Sequence, residues 1–99
     1  MTGRNGNGAE WHFVTSHALL LLEVSRAPES TVRELSGRVG LTERQAHRVL
    51  GDLVAEGYLE RERVGRRNRY RVNGSGPMRH PSVRTHHVGE LLHVLTPQA

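Results

Sequence analysis

The sequence predicts a mainly α-helical domain with a small β-hairpin: a three-helical core, the hairpin, and an additional helix towards the C-terminus. Three observations carry this. Between residues 15 and 57, three apolar segments follow one another, each bounded by helix start and stop signals. Residues 58–64 then alternate in character and meet a second alternating segment across Gly65-Arg66-Arg67-Asn68, the residue types of a turn. A last apolar stripe, Val88, Leu91, Leu92 and Leu95, recurs at helical spacing. With 99 residues, 35% of them hydrophobic and 24% charged, one modest core is expected and a large enclosed substrate cavity is not.

In chain order, residues 1–10 are rich in Gly and Asn and read as a disordered N-terminal arm. Trp11-His12-Phe13-Val14 is expected to be extended and packed on the body. Thr15 or Ser16 can cap a first helix running to about Arg26, where Ala27-Pro28 ends it. Its run Ala18-Leu19-Leu20-Leu21-Leu22 is apolar almost all round, so two faces need covering. Glu29-Ser30-Thr31 reads as a connector or a brief strand. Thr31 and Glu34 form a T-x-x-E capping box that starts a second helix at Val32, and Gly40 fits the left-handed position that closes it after Val39. Thr42 and Gln45 form a second box for a third helix reaching about Glu56, with Ala46, Val49, Leu50, Leu53 and Val54 as its inner stripe. Two helices joined by Gly40-Leu41-Thr42 have the layout of a helix-turn-helix. After the hairpin, residues 74–82 read as a flexible linker. Residues 83–99 read as a C-terminal helix, over about 83–95, and tail, which leaves 11–73 as the main domain.

All 14 basic residues are arginine, against 10 acidic ones. Residues 59–72 hold six of those arginines and only two glutamates, so the entire formal surplus of +4 sits in the hairpin. A localised arginine stripe points to a polyanion partner, because guanidinium forks match phosphate oxygens and displace condensed counterions. The third helix is different. Residues 41–58 hold Arg44 and Arg48 against Glu43, Asp52 and Glu56, a net of −1. It still leaves Thr42, Glu43, Arg44, Gln45, His47 and Arg48 facing outward near its N-terminus. Arginine can bond guanine bidentately, glutamine adenine, and threonine a phosphate or a thymine methyl. Glu43 would either repel phosphate or accept from a cytosine amine.

The ordered set resembles a known family. Residues 32–50, VRELSGRVGLTERQAHRVL, lead into Glu56-Gly57-Tyr58-Leu59 and then the G-R-R-N-x-Y hairpin. This looks like the DNA-binding domain of MarR- and ArsR-type winged helix-turn-helix transcriptional regulators, over residues 15–73. The resemblance implies a sequence-specific double-stranded DNA-binding regulator, without catalytic activity, acting as a homodimer on a roughly palindromic site; a repressor is expected because so small a protein leaves nothing to recruit polymerase, and a cytoplasmic protein because no span or secretory core is read. It makes the third helix the recognition helix and the hairpin the wing. Arg61, Arg63, Arg66, Arg67, Asn68 and Arg69 are then the wing's DNA contacts, with Arg66 and Arg67 at its tip. The final helix becomes the dimerising element. Apolar surface points the same way, with Leu19, Leu20, Val88, Leu91, Leu92 and Leu95 as dimerisation candidates; the alternative is a last helix that folds over the first within one chain.

Other functions find little support. The chain has no cysteine, which removes disulfides, thiolate zinc sites and thiol catalysis. It has no Gly-rich phosphate loop, no G-x-S-x-G and no H-E-x-x-H, and no motif calls for a cofactor. No apolar run approaches a membrane span, and residues 1–6 carry no secretory core. Two alternatives stay open. One is a winged helix used to dock a protein without binding DNA. The other is a metal-responsive regulator, because His86, Glu90 and His93 fall at i, i+4 and i+7 with ligand chemistry, although solvent-facing histidines would look the same.

Overall fold

In a computed structural model, residues 11–96 are described. The arm expected over residues 1–10 lies outside them. Three helices, α1 (Ser16–Arg26), α2 (Val32–Val39) and α3 (Glu43–Ala55), precede an antiparallel hairpin of β1 (Leu59–Val64) and β2 (Arg67–Val72), and α4 (Val88–Leu95) follows. The helix starts are set locally. Thr15 Oγ1 accepts from the Ala18 amide at 3.1 Å. At α2, Thr31 Oγ1 accepts from the Glu34 amide at 3.1 Å while Glu34 Oε1 accepts from the Thr31 amide at 2.9 Å. These contacts satisfy donors that the first helical turn leaves free. Gly40, at φ +81°, closes α2 with its amide on the Ser36 carbonyl.

The three helices and the base of the hairpin share one core. Leu20, Leu21, Leu22 and Val24 of α1 meet Leu35 of α2, Ala46, Val49, Leu50 and Leu53 of α3, and Tyr58, Leu59 and Tyr70 of the hairpin. Fully burying one such leucine stabilises the fold by about 1.5–3 kcal/mol. The Tyr70 amide also donates to the Pro28 carbonyl at 3.1 Å, which pins the hairpin to the α1–α2 connector. That connector forms no strand beyond this bond.

Four expectations are corrected. The last helix begins at Val88, not near residue 83. Residues 80–86 instead close successive turns, Val83 amide to His80 carbonyl and His86 amide to Val83 carbonyl, and Glu90 Oε2 catches the His87 amide at 2.7 Å to start α4. The segment after β2 is not a free linker. Pro77 bridges His87, the Val88 amide donates to Gly76, and the Gly89 amide donates to Gly74. Gly74 and Gly89 meet so closely that a Cβ on residue 89 would lie 2.9 Å from the Gly74 carbonyl oxygen. Third, Trp11 and Phe13 stack edge-on at 5.1 Å but stand 74% and 95% exposed rather than packed on the body. Fourth, Leu20, Val88 and Leu92, expected at a dimer surface, are buried in the chain's own core. Leu19, Leu91 and Leu95 remain partly exposed.

Candidate nucleic-acid interface

The residues expected to read DNA begin at the N-terminus of α3. Thr42 Oγ1 accepts from the Gln45 amide at 3.0 Å, and Gln45 Oε1 accepts from the Thr42 amide at 2.9 Å. The box fixes where the first turn of α3 points. It also occupies the carbonyl oxygen of Gln45, whose Nε2 is then the group left to donate outward. Adenine recognition in the bidentate mode requires that oxygen to serve the cap and the base together.

Beyond the cap, Arg44, His47 and Arg48 are exposed on the side of α3 away from Ala46, Val49, Leu50 and Leu53. The net negative charge of this segment resolves into separate pairs. Glu43 faces Arg33 of α2, at 3.9 Å from its Nε. Asp52 Oδ2 lies 2.8 Å from Nε2 of His17 on α1. Glu56 faces Arg79 at 3.9 Å. Each carboxylate of the segment thus lies near a partner outside α3. Arg44 and Arg48 make no hydrogen bond or ion pair among the described residues, so α3 presents an unopposed cationic face. Arg33, His17 and Arg79 had no signal in the sequence that linked them to α3, since each partner is distant along the chain.

The hairpin sorts its arginines in the same way. Register pairs Glu60 with Arg71 and Glu62 with Arg69 across the strands, which puts opposite charges face to face. The Arg71 guanidinium bonds Glu60, which raises the Arg71 pKa further above its ordinary value. Arg69 also approaches Glu29, at 3.8 Å. The surplus charge therefore belongs to Arg61, Arg63, Arg66 and Arg67. Only Arg66 is at the tip. Val64 pairs with Arg67, so the turn is the two residues Gly65 and Arg66, with Gly65 at φ +63° as a short hairpin turn requires. Arg67, expected at the tip, is the first residue of β2. It lines a polar cleft with Glu29, Ser30, Glu34 and Arg38. Asn68 is half-buried between the wing and the connector. Arg63 Nε donates to the Gly65 carbonyl at 3.2 Å and braces the tip.

In that cleft the Thr31 amide, chiefly, and the nearby Arg38 and Arg67 charges hold the Glu34 carboxyl below the ordinary carboxylate range. The metal candidates come apart. His86 precedes α4 instead of sharing its face with His93, and its Nδ1 meets Glu90 Oε1 at 2.9 Å. That bond, with the His87 amide, lowers the Glu90 pKa. Among the described residues, no three His, Asp or Glu side chains gather as a metal site. No helix among them is long and apolar enough to cross a membrane.

A three-helix core in which α2 and α3 form the helix-turn-helix, followed by a hairpin wing rich in arginine, is a winged helix-turn-helix domain with an added C-terminal helix. Residues 15–69, more than half of the chain, match the MarR family, and the chain belongs to it. It is a DNA-binding transcriptional regulator. No curated protein matches the chain.

Proposed function

We propose that the chain is a homodimeric repressor that binds double-stranded DNA sequence-specifically in the cytoplasm and acts by occluding a promoter. One observation carries the DNA-binding mode: Glu43, Asp52 and Glu56 each have a partner beyond α3, in Arg33, His17 and Arg79, while Arg44 and Arg48 stand unpartnered beside a wing whose surplus charge lies on Arg61, Arg63, Arg66 and Arg67. The α3 side chains read base edges in the major groove, and the wing grips the adjacent backbone. Thr42, held by its cap, offers its hydroxyl to phosphate. Glu43, half-neutralised by Arg33, is the group on α3 able to accept from a cytosine amine. His47 lies on the flank of the same face.

The dimer reading is supported by Leu19, Leu91 and Leu95, partly exposed, and by Val94, 77% exposed on the outer side of α4. A two-fold pair presents two recognition helices about 34–36 Å apart and reads a roughly palindromic site. Selection of bound sequences from a random duplex pool at two salt concentrations tests the whole reading. The expected result is an enriched, inverted half-site pair whose affinity falls with salt. Recovery of no enriched sequence would remove specific regulation.

A further inference from the structure

We propose that Gly51 is a positioning residue of the recognition helix, the point where the sugar-phosphate backbone passes closest to α3. The inference deepens the DNA-binding reading and rests on it. Gly51 lies inside α3, eight residues after its first residue, Glu43. Glycine in a helix interior is less favourable than alanine by about 0.8–1.0 kcal/mol. A glycine there usually answers to a need of the chain itself, a left-handed φ or a crowded Cβ. Gly51 answers to neither. Its φ is not positive, and a Cβ built on it meets nothing within 4 Å among the described residues.

Its place on the helix supplies the missing reason. Arg44, Arg48 and Gly51 follow at i, i+4 and i+7, on the side directly opposite the core stripe of Ala46, Val49, Leu50 and Leu53. The neighbouring acid, Asp52, is drawn aside to His17 at 2.8 Å, so no carboxylate faces this stripe beside the glycine. The face thus carries two free guanidinium groups over the first turns of α3 and a bare backbone one turn later. Seven residues of helix span about 10.5 Å, close to the roughly 12 Å width of the major groove. A helix seated with Arg44 over the base edges brings Gly51 up to a wall of that groove. There a side chain would hold the helix off the strand, and its absence lets Arg44 and Arg48 reach inward.

The test uses the full chain and a random-sequence duplex at low salt, because a backbone clash does not depend on sequence. Gly51→Ala and Gly51→Leu are measured for thermal midpoint and for DNA affinity by fluorescence anisotropy. Both variants should melt higher, Gly51→Ala by about 4–8 °C, since each is a better helix former. Both should bind more weakly, Gly51→Leu by roughly 5- to 150-fold. Opposite movement of the two readouts is the signature. Unchanged binding by Gly51→Leu overturns the inference and leaves the DNA reading standing. Weaker binding with a lower melting point also overturns it, because the glycine would then serve the fold. A parent chain that ignores the duplex overturns the DNA reading, and the inference falls with it.

Discussion

The division of the wing into paired and unpaired arginines makes a quantitative prediction about salt. Removing Arg61, Arg63 and Arg66 together, each to alanine, deletes three guanidinium groups that no carboxylate neutralises. Each lost phosphate contact should flatten the dependence of log affinity on log salt by about 0.9. The triple variant should then lose up to roughly 2.7 units of slope per wing, worth about 40-fold in relative affinity between 50 and 200 mM salt. Replacing Arg69 and Arg71 instead removes charges that already face Glu62, Glu29 and Glu60. That double variant should change the slope by much less than two contacts' worth. Fluorescence anisotropy of a labelled duplex, titrated over a range of sodium chloride concentrations, reads both slopes directly. The three lost arginines lie outside the buried core, so the triple variant should keep its far-ultraviolet circular dichroism. Equal slopes for the triple and double variants would refute the charge sorting, because paired and unpaired arginines would then be contributing alike.

Other expectations follow from the same geometry. Thr42→Ala should lower stability by about 0.5–2 kcal/mol, measured by urea denaturation, with Thr42→Ser restoring most of it because the hydroxyl acceptor returns. Leu50→Ala, at a fully buried site shared by all three helices, should cost about 2–5 kcal/mol by the same assay. Glu34 and Glu90 have depressed pKa values, so their contributions to stability are complete above the ordinary carboxylate range and are lost as pH falls through their folded values. The double change Glu34→Gln and Glu90→Gln should therefore flatten the acid side of a stability-versus-pH curve and leave its alkaline side alone. Val94→Arg, on the exposed side of α4, should shift a dimer to monomer in sedimentation velocity without changing the thermal midpoint of the monomer.

What could be read from the sequence was what local chemistry decides. Thr31 with Glu34 and Thr42 with Gln45 announce two helix starts because each box closes within four residues, and Gly40 announces an end because few other residues accept its φ. The inner stripe of α3 was legible from spacing alone. The features that escaped depend on contacts between distant parts of the chain. The start of α4 is fixed by the Glu90 carboxylate on the His87 amide together with the Pro77–His87 bridge, and the apolar spacing from Val83 onward shows neither. The turn is narrower than the Gly65 and Asn68 signals that flank Arg66-Arg67 suggest, and only the cross-strand register gives Arg67 to β2. The charge count over residues 41–58 stands at −1 but leaves out the spatial arrangement of those charges. Counting Glu43, Asp52 and Glu56 along the chain hides the fact that Arg33, His17 and Arg79 meet them in space. For α1, its composition demanded covered faces, but could not say which are met within the chain: Leu20, Leu21, Leu22 and Val24 are buried there, whereas Leu19 stays partly exposed.

The seating of Gly74 against Gly89 leaves α4 almost no slack relative to the wing. Val72 ends β2, the Asn73 amide is bonded to Tyr58, and the very next residue touches the first turn of α4. The Tyr58 hydroxyl, at the foot of the hairpin, donates to the Pro77 carbonyl in the same strap. Wing and final helix are therefore mounted on one short bracket. Any displacement of α4 would be delivered to the arginine finger over a few residues, with no loose chain between them to absorb it.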